Sequence, residues 1–170
     1  MSPSDRPSDA AILERARSLA NEGCWTVALQ LRRLHGTEPE DEDEEFLTRQ
    51  LADFQFLILT LRRLRRAALI ATNVATAAAQ IHEAIARFDA ALPGLATMRN
   101  VGEHIDDYAL DRPTRHHRDV NRRMLQVAAW DDTTYRWLGI DFNIDTALPA
   151  AQQLFRAIRD AHERRAGQPS

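Results

Sequence analysis

Arg99-Asn100-Val101-Gly102-Glu103-His104 is the stretch of this chain whose residue types and spacing suit chemistry. An arginine guanidinium can hold a phosphate through two parallel N–H donors. Histidine is the side chain best fitted to move a proton near neutral pH. Asn100, directly after the arginine, adds a donor and an acceptor between them. The three form a minimal set for cutting RNA without a metal ion. A plainer role competes with this one. On the polar face of a helix, Arg99 and Glu103 would pair one turn apart, an interaction worth ~0.3–0.5 kcal/mol.

A single helix through the segment sets the geometry. At ~100° per residue, with Arg99 at 0°, Glu103 falls near ~40°, Asp107 near ~80°, Asn100 near ~100° and His104 near ~140°. Met98, Val101, Ile105 and Tyr108 fall on the other side. A phosphate lying over the polar face would meet arginine, asparagine and histidine together. Glu103 and Asp107 are like charges one turn apart, a choice that a helix optimised for stability alone avoids. With Asp106 they also put negative charge where RNA would lie.

The segment resembles the Arg-(polar)-x3–5-His signature of HEPN domains. These are α-helical bundle proteins, many of them metal-independent ribonucleases, and they include HEPN–MNT toxins and nuclease domains of CRISPR effectors. Asn100 matches the polar position of the signature. The motif covers about six residues, and the helical pattern of residues 8–110 agrees with such a bundle. The resemblance implies that Arg99 binds the scissile phosphate, His104 acts as general acid or base and Asn100 orients one of them. The substrate 2′-OH would be the nucleophile, so only RNA is cut, leaving a 2′,3′-cyclic phosphate. It further implies a composite site across a homodimer, no cofactor, and a toxin or bacterial-defence setting with an antitoxin or other protein partner. In the HEPN–MNT toxins a tyrosine often stands two residues after the histidine. Here that position is Asp106, and Tyr108 lies further on as a substrate contact.

A basic segment follows. Arg112, Arg115, Arg118, Arg122 and Arg123, with His116 and His117, have the charge to track an RNA backbone, or to balance the acids nearby as a solvated loop. Trp130, Tyr135 and Trp137 offer rings for base stacking, or for packing a hairpin onto the bundle. No Glu-x-x-His pair and no zinc-type spacing occurs, so no metal is expected. Two other readings stand beside ribonuclease: a non-catalytic interaction module, in effect a degenerate HEPN domain, and a metal-binding helical bundle drawing on Glu103, His104 and Asp107 with His82 or His116-His117.

The elements that must position these residues are mostly helices. Leu13, Ala16, Ala20, Val27, Leu31 and Leu34 recur at helical spacing after Ser8 and Asp9, both good N-caps. Gly23 is expected to bend this helix, and His35-Gly36 to end it. Seven acids in residues 38–45 lead into a second helix through Leu47, Leu51, Phe54, Ile58, Leu61 and Leu64. Phe46, Phe56, Leu57 and Leu59 widen its stripe, which marks it as central. It runs through four arginines in residues 62–66 to a break at Thr72-Asn73. A third helix is expected over 75–91, and a fourth from Pro93 to Leu110.

The pattern then changes to a β-hairpin over 123–138, closed at Asp131-Asp132, with a short third strand at Ile140, Phe142 and Ile144. Asp145 is the expected N-cap of a final helix over 146–165. The expected fold is mainly α: an antiparallel, HEPN-like helical bundle with a small β-hairpin before the last helix. As domain organisation, 1–170 reads as a single domain with a flexible 1–8, a bundle over 9–110, the basic loop and hairpin over 111–145, the last helix over 146–165 and a flexible tail at 166–170.

Bulk properties agree with that picture. The 170 residues are 44% hydrophobic and 28% charged, with net charge −3 and one cysteine. A chain of that length buries roughly 70% of its unfolded surface without staples. An internal disulfide is impossible, and Cys24 sits on the apolar stripe as a core residue rather than a nucleophile. The alanine-rich run 67–79 is too short and polar to span a bilayer, and no apolar leader precedes residue 9. A cytoplasmic protein with no membrane partner is expected.

Overall fold

The first helix, α1 (Asp9–Leu34), begins where its capping residue dictates. Ser8 is extended, and its hydroxyl accepts from the Ala11 N–H at 3.3 Å. His35 closes the helix. Gly23 does not break α1; its meaning lies in packing. A Cβ added there would stand 3.3 Å from Leu64, so the missing side chain lets the second helix come close.

That second helix, α2 (Glu44–Ala71), ends at the expected Thr72-Asn73 turn, and α3 (Ala75–Ala91) follows with Ile81, Ala84, Ile85 and Phe88 buried. α1 packs most extensively on α2 and on the final helix, while α3 packs on the final helix and α2. The computed structural model describes residues 6–36, 44–110, 112, 119–127, 129–131 and 133–167, and the side chains of Glu44, Glu45 and Leu47 fall outside that description.

The stripe on α2 is narrower than its sequence suggests. Phe54, Leu57, Ile58, Leu61 and Leu64 are buried, but Leu51, Phe56 and Leu59 are exposed. The helices packed on α2 and the sheet cover its buried side, and Leu51, Phe56 and Leu59 meet solvent.

The expected fourth helix is two. Pro93 lies outside it, since the left-handed Gly94 (φ 81°) is the cap and α4 runs Leu95–Glu103. After a break at His104 (φ −120°, ψ 34°), α5 covers Ile105–Ala109. The local chemistry favours that break. Gly102 weakens helix propensity, Glu103 opposes the negative end of α4, and Asp106 and Asp107 suit the positive end of a new helix. The break turns Ile105 outward, 48% exposed, against the expectation that it shares the apolar face.

The β region is a three-stranded antiparallel sheet in the order β1 (Ala129–Trp130), β2 (Thr134–Trp137), β3 (Ile140–Asn143). Register pairs Trp130 with Tyr135 and Tyr135 with Phe142. Residues 122–124 form a 3-10 turn instead of the start of a long first strand. β2 and β3 meet through Leu138-Gly139, both at positive φ (55° and 72°), as a two-residue hairpin requires. Leucine is costly there, and the burial of its side chain offsets the strain.

Phe54 holds the sheet to α2. Its ring stacks on Tyr135 at 4.2 Å and 4°, and Phe142 and Trp137 meet it edge-on. The last helix, α6 (Ala147–Ala166), is capped by Thr146, one residue beyond the expected Asp145. A 3-10 turn over Ile144–Thr146, capped by the Asn143 side chain, takes up the difference. Ala151, Leu154 and Ile158 are buried, and Leu148 and Phe155 are half-buried.

Candidate functional site

α4 lies between α2 and the sheet, and three contacts fix it there. Its cap Gly94 admits Ile140, whose atoms would come within 2.7 Å of an added Cβ. At Gly102 a Cβ would stand 3.7 Å from the Trp137 ring. Met98 and Val101 are fully buried. Arg99, Asn100 and His104 are thereby held at the edge of the bundle.

Each takes a different position. Arg99 is half-buried and ion-paired with Glu103, with 19% of its side chain exposed against 39% for the carboxylate. Asn100 is half-buried, and its Nδ2 donates to the Tyr108 hydroxyl at 3.4 Å across the α4–α5 break. His104 sits at the break itself. Its backbone N–H donates to Asn100, and its carbonyl accepts from Asp107 and Tyr108. Its imidazole is exposed, with no side-chain partner among the described residues. Tyr108 is 3% exposed, so its ring offers no face to a base and serves to tie α5 down.

The basic segment is described in part. Arg112 reaches Asp107 at 3.7 Å, and its backbone N–H donates to the Asp107 carbonyl. Arg122 and Arg123 are exposed on the 3-10 turn. Arg115 and Arg118, with His116 and His117, lie outside the described residues. Trp137 links this turn to α4: its indole N–H donates to the Leu125 carbonyl at 2.9 Å while its ring faces Gly102. Tyr135 and Trp137 are buried and Trp130 is half-buried, so these rings pack the sheet rather than stand free for bases.

The structure adds arginines that the motif alone does not point to. α4 packs on α2, and this brings Arg62 within electrostatic range of Arg99. Burial depresses the Arg62 guanidinium, and the charges of Arg65, Arg99 and Arg66 depress it further. Its Nε is shielded from solvent and has no hydrogen-bond partner among the described residues. Arg65, one turn away, is bidentate to Asp89 at 2.7 Å, and this bond raises its pKa. The arginine run on α2 was a visible signal. Which of its members faces α4 depends on how two helices cross, and sequence does not give that.

Other candidates settle more simply. Cys24 donates to the Ala151 carbonyl at 3.4 Å, and burial pushes its thiol up to about 11, which suits a packing role. No group of three or more His, Cys, Asp or Glu among the described residues is placed to hold a metal ion. No described helix is long and apolar enough to cross a membrane. No family model, no curated protein and no solved structure matches this chain.

Proposed function

We propose that this protein is a HEPN-like, metal-independent endoribonuclease of toxin or defence type, with Arg99, Asn100 and His104 at its centre. The observation that carries the reading is the imidazole of His104, without a side-chain partner among the described residues, at the α4–α5 break, one turn beyond Asn100 and five residues beyond Arg99. A histidine fixed by its backbone and free at its ring is suited to general acid–base work. Arg99 would hold the phosphate and the charge that develops on it. The substrate 2′-OH attacks phosphorus and the 5′-oxygen leaves, with His104 moving one of the two protons. The products are a 2′,3′-cyclic phosphate and a 5′-OH end. Arg112, Arg122 and Arg123, with Arg115 and Arg118, would supply backbone charge along the RNA. Ile105 and Leu110, 48% and 61% exposed beside His104, support a homodimer in which two such segments face each other.

The test is cleavage of several RNAs by purified protein in EDTA, with end-group analysis. Arg99→Ala and His104→Ala should each lower the rate about 100-fold or more while unfolding at the wild-type midpoint. Failure to produce cyclic-phosphate ends from any RNA with dimeric protein would sink the reading. One observation favours a second reading, a non-catalytic interaction module: Arg99 is already occupied by Glu103. That reading expects a co-purifying protein partner, such as an antitoxin, and no cleavage at all.

A further inference from the structure

Arg62 is placed badly for a purely structural residue. Its Nε is sealed from water without an acceptor, and three of the four charges acting on it are arginines. The carboxylate that acts on it, Asp89, is taken on both oxygens by Arg65. An unsatisfied donor of this kind costs ~1–3 kcal/mol, more when it is charged. Replacing it with an apolar residue would remove that cost, so packing alone does not account for a positive charge set among Arg65, Arg66 and Arg99. The packing of α4 on α2 brings the charge of Arg99 within range of Arg62, and the partner of Arg99 is the less buried of that pair. Glu103 stands at the surface, free to swing outward while Arg99 stays held by the helix.

We infer that Arg62 and Arg99 form a two-arginine clamp for one backbone phosphate of a nucleic acid, and that Glu103 occupies Arg99 in the free protein as the internal anion this phosphate displaces. A phosphodiester carries two non-bridging oxygens, and guanidinium groups from two helices give each a charge-assisted donor. Glu103 then weakens binding by competition, and an isolated cation at this surface is avoided until substrate arrives. The nature of the polymer rests on the reading above; the clamp does not depend on cleavage.

The test uses the full chain and a labelled single-stranded oligodeoxynucleotide, which lacks the 2′-OH and is not cut. Affinity is read by fluorescence anisotropy at fixed low salt, and thermal unfolding is followed alongside. Arg62→Met should weaken binding roughly 10- to 100-fold, as loss of a charge-assisted hydrogen bond does. Arg63→Met, from the exposed side of the same run, should change it by less than about 3-fold, as a distant screened charge does. Glu103→Gln should tighten binding by about 3- to 10-fold, since the competitor loses its charge. Equal losses for the two arginine variants, or an unchanged affinity for Glu103→Gln, would overturn the clamp. Should Arg62→Met fail to fold, Glu103→Gln decides alone, because its site is exposed. Binding through Arg62 without cyclic-phosphate ends from RNA would leave the clamp standing and remove the nuclease. Cleavage by wild-type protein with unchanged affinity in Arg62→Met would do the reverse.

Discussion

Gln50 and Asp53 in the first half of α2 and Arg62 in the second meet the core boundary in opposite ways. In the first half Gln50 and Asp53 are buried at 4% and 5% exposure, and both are answered by another element. The Tyr135 hydroxyl, from β2, donates to Gln50 at 3.1 Å. Arg33, from α1, donates to Asp53 at 3.0 Å. In the second half Arg62 is partly buried, its Nε is unanswered, and like charges surround it. A satisfied polar pair joins elements and fixes their register. An unsatisfied one joins nothing within the fold. Both halves lie on one helix with one hydrophobic stripe, so burial alone does not separate structure from function here, and the accounting of partners does.

The largest effect that would sharpen this contrast is expected at Phe54. Its ring joins Tyr135, Trp137 and Phe142, and it has no exposed surface. Phe54→Ala should lower stability by about 3–5 kcal/mol in urea unfolding, since a fully buried ring leaves both lost transfer energy and a cavity. A loss near 1 kcal/mol would show that the sheet is not held through this residue. The first half of α2 would then no longer count as the structural half.

Tyr135→Phe comes next, as it keeps the stacked ring and removes only the donor to Gln50. Stability should fall by about 1–3 kcal/mol, the cost of a buried acceptor without a partner. The same bond has a pH signature. Burial, with the nearby charge of Asp53, raises the Tyr135 hydroxyl above its ordinary 10.0. A folded pKa above the unfolded one means stability that is fully present below pH 10.0 and declines as pH rises beyond it. Alkaline unfolding curves of the wild type should therefore fall more steeply above that pH than those of the phenylalanine variant. Parallel curves would place the hydroxyl in water.

These two halves were not equally legible in the sequence. The helical spans of α1, α3 and α6, the Ser8 cap and the presence of short strands before the last helix all follow from spacing and turn chemistry, which are local properties, whereas the strands begin at residue 129 and not at the expected 123. The break at His104 is hidden in the sequence by a continuous apolar period from Met98 to Tyr108, although Gly102, Glu103 and the two aspartates that favour it stand close together. The Leu138-Gly139 turn has a weak signature because leucine is a rare choice at positive φ. Within the candidate site, Arg99, Asn100 and His104 were legible as types at a spacing. Arg62 belongs with them only through the packing of α4 on α2, a tertiary fact with no local signature.

The smallest expected effect is the one that most directly tests the comparison. Arg62→Met keeps the apolar stem against the bundle and deletes the guanidinium. Were Arg62 structural like Asp53, removing its head would strand a partner and cost stability. No such partner answers its Nε, so what is deleted is a partly desolvated charge repelled by Arg65, Arg99 and Arg66. Stability should stay within about 0.5 kcal/mol of wild type or rise by up to ~1 kcal/mol, in keeping with the replacement of poorly compensated charge by apolar atoms. The gain should shrink as salt is added, because screening already relieves the repulsion in the wild type. A loss of about 2 kcal/mol or more in urea unfolding would mean that the two halves of α2 do the same work. A variant as stable as the wild type but weaker in binding phosphate would separate them, since the only quantity lost would be one the folded chain does not use by itself.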